Sequence, residues 1–240
     1  MRYWPASDVL WCAIDETSIV LCLDTNTFHH FNKSAALIWA HITQGADHRE
    51  LVQRLSERFP TVPVLTLERD VSNVLEGLAE RSLITTESAA RGLVQDWLSA
   101  KPRAVDGNPV TRMPATLMVV TMLVLIRASI LLLGLRSTLS WLARLDSNSV
   151  RPLRKADLIA SARAVAFAAP LSPLRAECLE RALCLLWALR KRGGAVSLHF
   201  GVRPHPFSAH AWLETDGEPL NDHPEHVKTF VPLGRTEVLP

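Results

Sequence analysis

An α+β protein in two parts is what the sequence predicts, and three observations predict it. Charge is divided along the chain. Residues 1–100 carry eight Lys and Arg against thirteen Asp and Glu, net −5, whereas residues 101–240 carry eighteen against eleven, net +7. The apolar pattern runs strands then helices over residues 1–88, and helices then strands over residues 113–240. Between them, residues 89–112 hold Lys101-Pro102 and Asp106-Gly107-Asn108-Pro109 and few large apolar side chains after Trp97, as a linker does. At 240 residues, 48% hydrophobic and 21% charged, the chain is neither disordered nor fibrous.

The first part opens with short apolar runs, Val9–Ile14 and Ile19–Asp24, separated by Asp15-Glu16-Thr17-Ser18 and read as a hairpin. Phe28–Asn32 follows the Asp24-Thr25-Asn26 turn as a third strand. Ser34 is then an N-cap candidate for a helix over Ala35–Thr43 that Gly45 closes. Asp47 and Glu50 have capping-box spacing and open a helix to about Phe59. Beyond Pro60 and Pro63, Leu67, Val71, Val74, Leu75 and Leu78 share one helical face, and Leu83-Ile84 ends the unit. Three strands followed by three helices make a small winged-helix-like module.

The second part is helical from Pro114 to about Leu145 and again over Asp157–Ala168. Its first stretch, Leu117–Leu135, is near the ~20 apolar residues that span a bilayer, but Arg127 at its centre is costly there. A core helix with Arg127 on its wetter edge is expected, with membrane association the alternative. Ser172-Pro173 is a helix-start signal, and Leu179, Ala182, Leu183, Leu186 and Leu189 line one face up to Gly193-Gly194. The period then changes to two: Val196, Leu198, Phe200 and Val202 alternate as in a half-buried strand. Ser208–Glu214 and Glu218–Asp222 flank Thr215-Asp216-Gly217 as another hairpin.

This arrangement carries a chemical constellation. Cys178 lies early in a helix, His210 lies 32 residues on in a strand, and Asp222 lies 12 residues after that. A nucleophile on a helix with a base and an orienting acid on adjacent strands suits thiol acyl transfer. A three-residue loop with Gly217 at positive φ would pair His210 with Asp222 directly across the hairpin. A two-residue loop would shift the register by one and put them on opposite faces. A lone Cys is commonly core, and Cys12, Cys22 and Cys184 read that way. Four cysteines in a chain this long form no disulfide scaffold. His199, His205, His223 and His226 lie nearby, but their spacing matches no compact zinc pattern, so no metal is expected.

The residues that carry chemistry also resemble a family. C-L-x-R-A-L-x-L (Cys178–Leu185), L-R-K-R-G (Leu189–Gly193), F-x-A-H-A-W-L-E (Phe207–Glu214) and L-N-D (Leu220–Asp222) occur in this order. They resemble the lasso-peptide B-protein leader peptidases, which are transglutaminase-like, papain-like cysteine proteases. The resemblance implies Cys178 as nucleophile, His210 as base and Asp222 as orienting acid, with no cofactor. Residues 1–88 are similar to the small chaperone of pyrroloquinoline quinone biosynthesis, in Val20–Asp24, Phe31-Asn32, Ala35–Trp39, Leu51–Phe59 and Asp70–Ile84. That family implies a leader peptide added to the third strand and resting on the third helix. The residues concerned here are Thr27, Phe28, His29, His30 and Phe31, with Val71, Val74, Leu75 and Leu78. A precursor peptide and an asparagine-synthetase-like macrolactam cyclase are the implied partners.

Other functions compete with this one, a non-catalytic peptide-binding scaffold among them, and sequence does not separate the peptidase from an acyltransferase. An acyltransferase using the same three residues shares the acyl-enzyme chemistry. A winged-helix-like DNA binder is disfavoured by the −5 charge of residues 1–100, since phosphate contacts need Lys and Arg. Met1–Ser7 lacks a basic region followed by an apolar core, so a signal peptide is not expected and the cytoplasm is. The basic stretch 101–163, ten Lys and Arg against three Asp and Glu, is read as a solvated surface or as a docking face for the cyclase or an acidic peptide.

Overall fold

The computed structural model describes residues 1–87, 116–144 and 153–234, so the expected linker at 89–112 lies outside the described residues. The chain divides into two compact units: Met1–Gly92 together with Leu233–Pro240, and Leu93–Pro232.

In the first unit, β1 (Arg2–Pro5) precedes β2 (Val9–Ile14), β3 (Thr17–Cys22) and β4 (Thr27–Phe31). Then come α1 (Lys33–Ile42), β5 (Ala46–Asp47), α2 (His48–Arg58), α3 (Val64–Glu80) and β6 (Ile84–Thr85). Strands β2, β3 and β4 form an antiparallel sheet in that order, and β5, β1 and β6 form a second, smaller one. The smaller sheet is not foreseen from sequence, because two-residue strands show no alternation. The β2–β3 turn is tighter than expected. Ile14 pairs with Thr17, leaving Asp15 and Glu16 as the loop, with Asp15 at φ 53°.

Asn32, not Ser34, caps α1. Its Oδ1 accepts from the Ala35 N–H at 3.0 Å and from the Ser34 hydroxyl at 3.1 Å. The Asp47–Glu50 capping box is present, with N···O distances of 2.9 and 3.0 Å. The apolar stripe of α3 buries Leu67, Val71, Leu75 and Leu78. Trp39 centres the core, edge-on to Trp11 at 5.7 Å and Phe31 at 5.4 Å. Each such pair contributes about 1 kcal/mol beyond its buried area. Gly234 exchanges both backbone hydrogen bonds with Trp11 at 3.1 Å, so this unit also takes in the end of the described chain.

The second unit contains α4 (Thr116–Arg144), α5 (Lys155–Ala168), α6 (Cys178–Arg190), β7 (Ser197–Arg203), β8 (Ser208–Thr215), β9 (Glu218–Pro219), α7 (Pro224–Val227) and all of β10 (Val231–Leu233) but its last residue. The sheet order is β10-β7-β8-β9. Helix α4 is long and apolar enough to cross a membrane by length and composition, with a mean hydropathy of 2.4 over an 18-residue window. It nevertheless buries a stripe at Val119, Met122, Leu123, Ile126 and Ile130, and it packs against α6. Gly134, at φ 81° and ψ 166°, breaks it into two segments, a geometry that glycine adopts without strain. Arg127 is not simply on a wet edge: its Nη1 lies 2.5 Å from Oε1 of Glu180, which is 2% exposed.

Helix α6 starts at Cys178, not at Ser172-Pro173. Glu180 reaches back to accept from the Glu177 N–H at 3.0 Å, and this capping box fixes the start five residues beyond the Ser-Pro signal.

Candidate active site

Cys178 is the first residue of α6 and is half-buried. A first-turn position offers the helix's free N–H groups and positive dipole end to negative charge forming there. Helix α6 packs against β8, the strand that carries His210. Arg181, three residues after Cys178 and so on the same helical face, lies close enough to His210 for its charge to act on the imidazole. The other described thiols are withdrawn. Cys184 is fully buried, points its Sγ at the Val119 carbonyl at 3.8 Å, and is pushed up to about 12 by burial. Cys12 is likewise pushed to about 11, and Cys22 is buried.

His210 shares a face of β8 with Trp212, two residues on, and its ring stacks on the indole at 5.9 Å and 15°. Phe230 closes the other side at 5.1 Å. The residue opposite His210 on β7 is Gly201. A Cβ there would sit 2.8 Å from the Trp212 ring and 2.9 Å from Phe230 Cβ. Only the missing side chain lets both aromatics press around the imidazole.

His210 and Asp222 meet, but not by the expected register. The hairpin turn has two residues, Asp216 (φ 51°) and Gly217 (φ 79°), and pairs Glu214 with Pro219. Both left-handed residues define a type I′ turn, for which Asp-Gly is a favoured pair. Continued as a ladder, that register would send His210 and Asp222 to opposite faces. The ladder stops first. β9 ends at Pro219, Leu220 N–H bonds the Leu213 carbonyl at 2.9 Å, and the Asn221 side chain accepts from Leu213 N–H at 2.7 Å. Released from the sheet, Asp222 turns back, and its Oδ2 lies 2.5 Å from His210 Nε2.

The carboxylate has two further partners. Oδ2 also meets His226 Nδ1 at 2.8 Å, and Oδ1 accepts from the His223 N–H at 2.6 Å. Burial alone would raise Asp222, but the hydrogen bond from His226, the His223 N–H, the charge of His226 and the hydrogen bond from His210 outweigh it. The carboxyl stays below its ordinary value. Burial lowers His210, the Asp222 hydrogen bond and charge oppose this, and the charges of His226 and Arg181 add to the lowering. The net direction favours a neutral imidazole. With Nε2 engaged by Asp222, its free nitrogen is Nδ1, the atom available to a thiol.

His210, Asp222 and His226 also bring three ligand atoms within 4.8 Å of one another, a set that a divalent cation could share. The other histidines considered for a metal have other contacts. His199 pairs with Ser197 at 2.8 Å and Glu214 at 3.4 Å, and His223 accepts from the Glu225 N–H at 3.3 Å. His226 therefore belongs with Asp222 rather than with the histidines near it in sequence. Its position four residues after Asp222, with a Pro224 helix start between them, was the available signal.

In the first unit, β4 pairs with β3 alone, leaving its other edge unpaired among the described residues. Thr27 and His30 are exposed, Phe28 and His29 half-buried, and Phe31 is in the core. His29 is lowered by burial and by the charge of Arg81, which brings the end of α3 near this strand. Val71, Leu75 and Leu78 are core side chains; Val74 is the partly exposed member of the α3 set.

Residues 122–235 match the transglutaminase-like superfamily, and residues 17–84 match coenzyme PQQ synthesis protein D (PqqD). A PqqD-like stretch thus precedes a transglutaminase-like one in an α+β chain in which the cysteine-bearing helix precedes an antiparallel sheet. That pairing, in that order on one chain, fits a lasso-peptide B protein. A solved structure described as TbiB1 in complex with the TbiA(beta) leader peptide is 24% identical over 36% of this chain and 99% of that one, with a TM-score of 0.34. No curated protein matches the chain.

Proposed function

We propose that the protein is a cytoplasmic cysteine endopeptidase that binds the leader of a ribosomally made lasso-peptide precursor and cleaves it off. The freed core N-terminus would pass to an asparagine-synthetase-like cyclase for macrolactam formation. One observation carries the peptidase reading: His210, on a strand packed against the helix that begins at Cys178, has its Nε2 bonded to Asp222. The PqqD match and the unpaired edge of β4 support leader binding by strand addition, in which backbone pairing supplies affinity.

In the mechanism that follows, Nδ1 of His210 takes the Cys178 proton and the thiolate attacks the scissile carbonyl carbon. The tetrahedral intermediate collapses to a thioester as His210 returns the proton to the leaving amine. Water, deprotonated by the same nitrogen, then releases the leader carboxylate and regenerates the thiol. Asp222 holds the ring with Nε2 protonated throughout. The transglutaminase-like match keeps one second reading in view, transfer of the acyl group to an amine instead of water; product mass separates the two.

The test is cleavage of a leader-bearing precursor by the full chain. Cys178→Ala is expected to abolish the reaction with the fold intact, and Cys184→Ala to retain it. Labelling by iodoacetamide at Cys184, with Cys178 inert, would overturn the assignment.

A further inference from the structure

We propose that His226 is a positioning residue that holds Asp222 in line with His210, an inference that rests on the peptidase reading above. An orienting acid in a strand is held by the ladder. Asp222 has no such support, because β9 ends at Pro219 and the chain has left the sheet by the time it reaches the carboxylate. Its rotation about χ1 and χ2 must be fixed by side-chain partners. His210 cannot serve, since it is the group to be oriented. The His223 N–H holds Oδ1, but it belongs to the adjacent residue and moves with the same loop. His226 supplies the independent anchor. Its Nδ1 meets the same oxygen, Oδ2, that engages His210, at 2.8 Å against 2.5 Å.

The ring is itself held. It lies edge-on to Phe230 at 5.3 Å and 90°, and Phe230 is the residue that also flanks His210. Helix α7 starts at Pro224 behind the His223 cap and sets His226 four residues from Asp222, so one turn of helix returns the ring to the carboxylate. Two imidazoles then converge on one oxygen. A carboxylate oxygen has two lone-pair directions, and occupying one by His226 leaves the other aimed at His210. His226 is half-exposed, at 49% of its side-chain surface, so its substitution opens no core cavity, and only the hydrogen bond and the ring's contacts with Phe230 and His210 have to be told apart.

The experiment compares His226→Leu with His226→Asn in the full chain, because an asparagine amide places an N–H near the position of Nδ1 and leucine does not. Two readouts are taken. The first is the downfield proton resonance of His210 Nε2–H, expected from the short bond to Asp222, and its protection from exchange with solvent. The second is the split of kcat from KM on a leader-bearing precursor. The expected result is that His226→Leu moves the resonance upfield and unprotects it, and lowers kcat about tenfold with KM unchanged. His226→Asn is expected to restore both. A wild-type resonance or wild-type kcat in His226→Leu overturns the proposal, as does an asparagine variant as impaired as the leucine one, which would mean packing and not the hydrogen bond. If the wild-type chain cleaves no precursor, the peptidase reading falls by itself; the resonance does not depend on turnover and still decides whether His226 holds Asp222.

Discussion

Asp222 is where the energetics of the site concentrate, because three N–H groups converge on one partly buried carboxylate. Asp222→Asn keeps the shape and removes the acceptor charge, so kcat is expected to fall by about 10²–10⁴ with leader affinity unchanged, measured by steady-state cleavage and calorimetry. The same substitution has a spectroscopic consequence. Asp222 raises His210 against the lowering by burial. Its removal should move the His210 titration midpoint, already below the ordinary 6.5, further down in an NMR pH series; an upward move would contradict the burial argument. The stability linkage has a definite sign. A histidine lowered in the fold contributes stability that is full above its ordinary value and is lost as pH falls through the folded one. Asp222, also lowered, repeats the pattern around its ordinary 3.8. Acid unfolding of wild type and Asp222→Asn should therefore converge as pH drops through the carboxyl range. Gly201 acts through contact alone. Gly201→Ala would press Trp212 and Phe230 out of place, costing about 1–3 kcal/mol in denaturant unfolding and slowing cleavage.

At the scale of elements, the start of α6 governs the position of the nucleophile. Glu180 does two things there. One oxygen caps Glu177 N–H and the other takes Arg127 from α4, so the apolar helix and the cysteine-bearing helix are joined through a buried carboxylate. Arg127→Met would leave that carboxylate without its cation, at a cost of about 3 kcal/mol in denaturant unfolding. Arg127→Met with Glu180→Gln should recover part of it. Neither feature could be read from sequence. Glutamate is a weak N-cap residue beside the Ser172-Pro173 signal, and an arginine in an apolar run does not announce its partner 53 residues away. What could be read had strong periodicity or strong local chemistry: the α3 stripe, the Asp47–Glu50 box, the alternation of β7 and β8, and the meeting of His210 with Asp222. The hairpin register was misjudged for a legible reason. Gly217 was weighed alone, although Asp216 beside it also favours positive φ, and the pair specifies a two-residue turn. The contact between His210 and Asp222 survives because it is made after the ladder ends.

For the whole chain, the charge changes sign between residues 1–100 and 101–240, near the boundary of two compact units at Gly92–Leu93, although the first unit also takes in Leu233–Pro240. If affinity resides in the first unit and chemistry in the second, a lesion on β4 should separate them. His30→Pro removes one backbone N–H from the strand and constrains its φ. Leader affinity should weaken about five- to tenfold, the equivalent of one hydrogen bond, while a short peptide spanning only the scissile bond is processed at the wild-type rate. Equal loss on both substrates would mean that the two roles are not divided this way.

The two-residue turn also bears on how the protein can be engineered. The clasp from Leu220 and Asn221 to Leu213 lies on the site's side of the tip, so Asp216 and Gly217 project beyond everything that fixes Asp222. A side chain at Gly217 would meet nothing within 4 Å. The tip is therefore a natural insertion point. An epitope, a small reporter peptide or a pair of new termini placed between Asp216 and Gly217 should lengthen the hairpin while leaving the carboxylate against its imidazole.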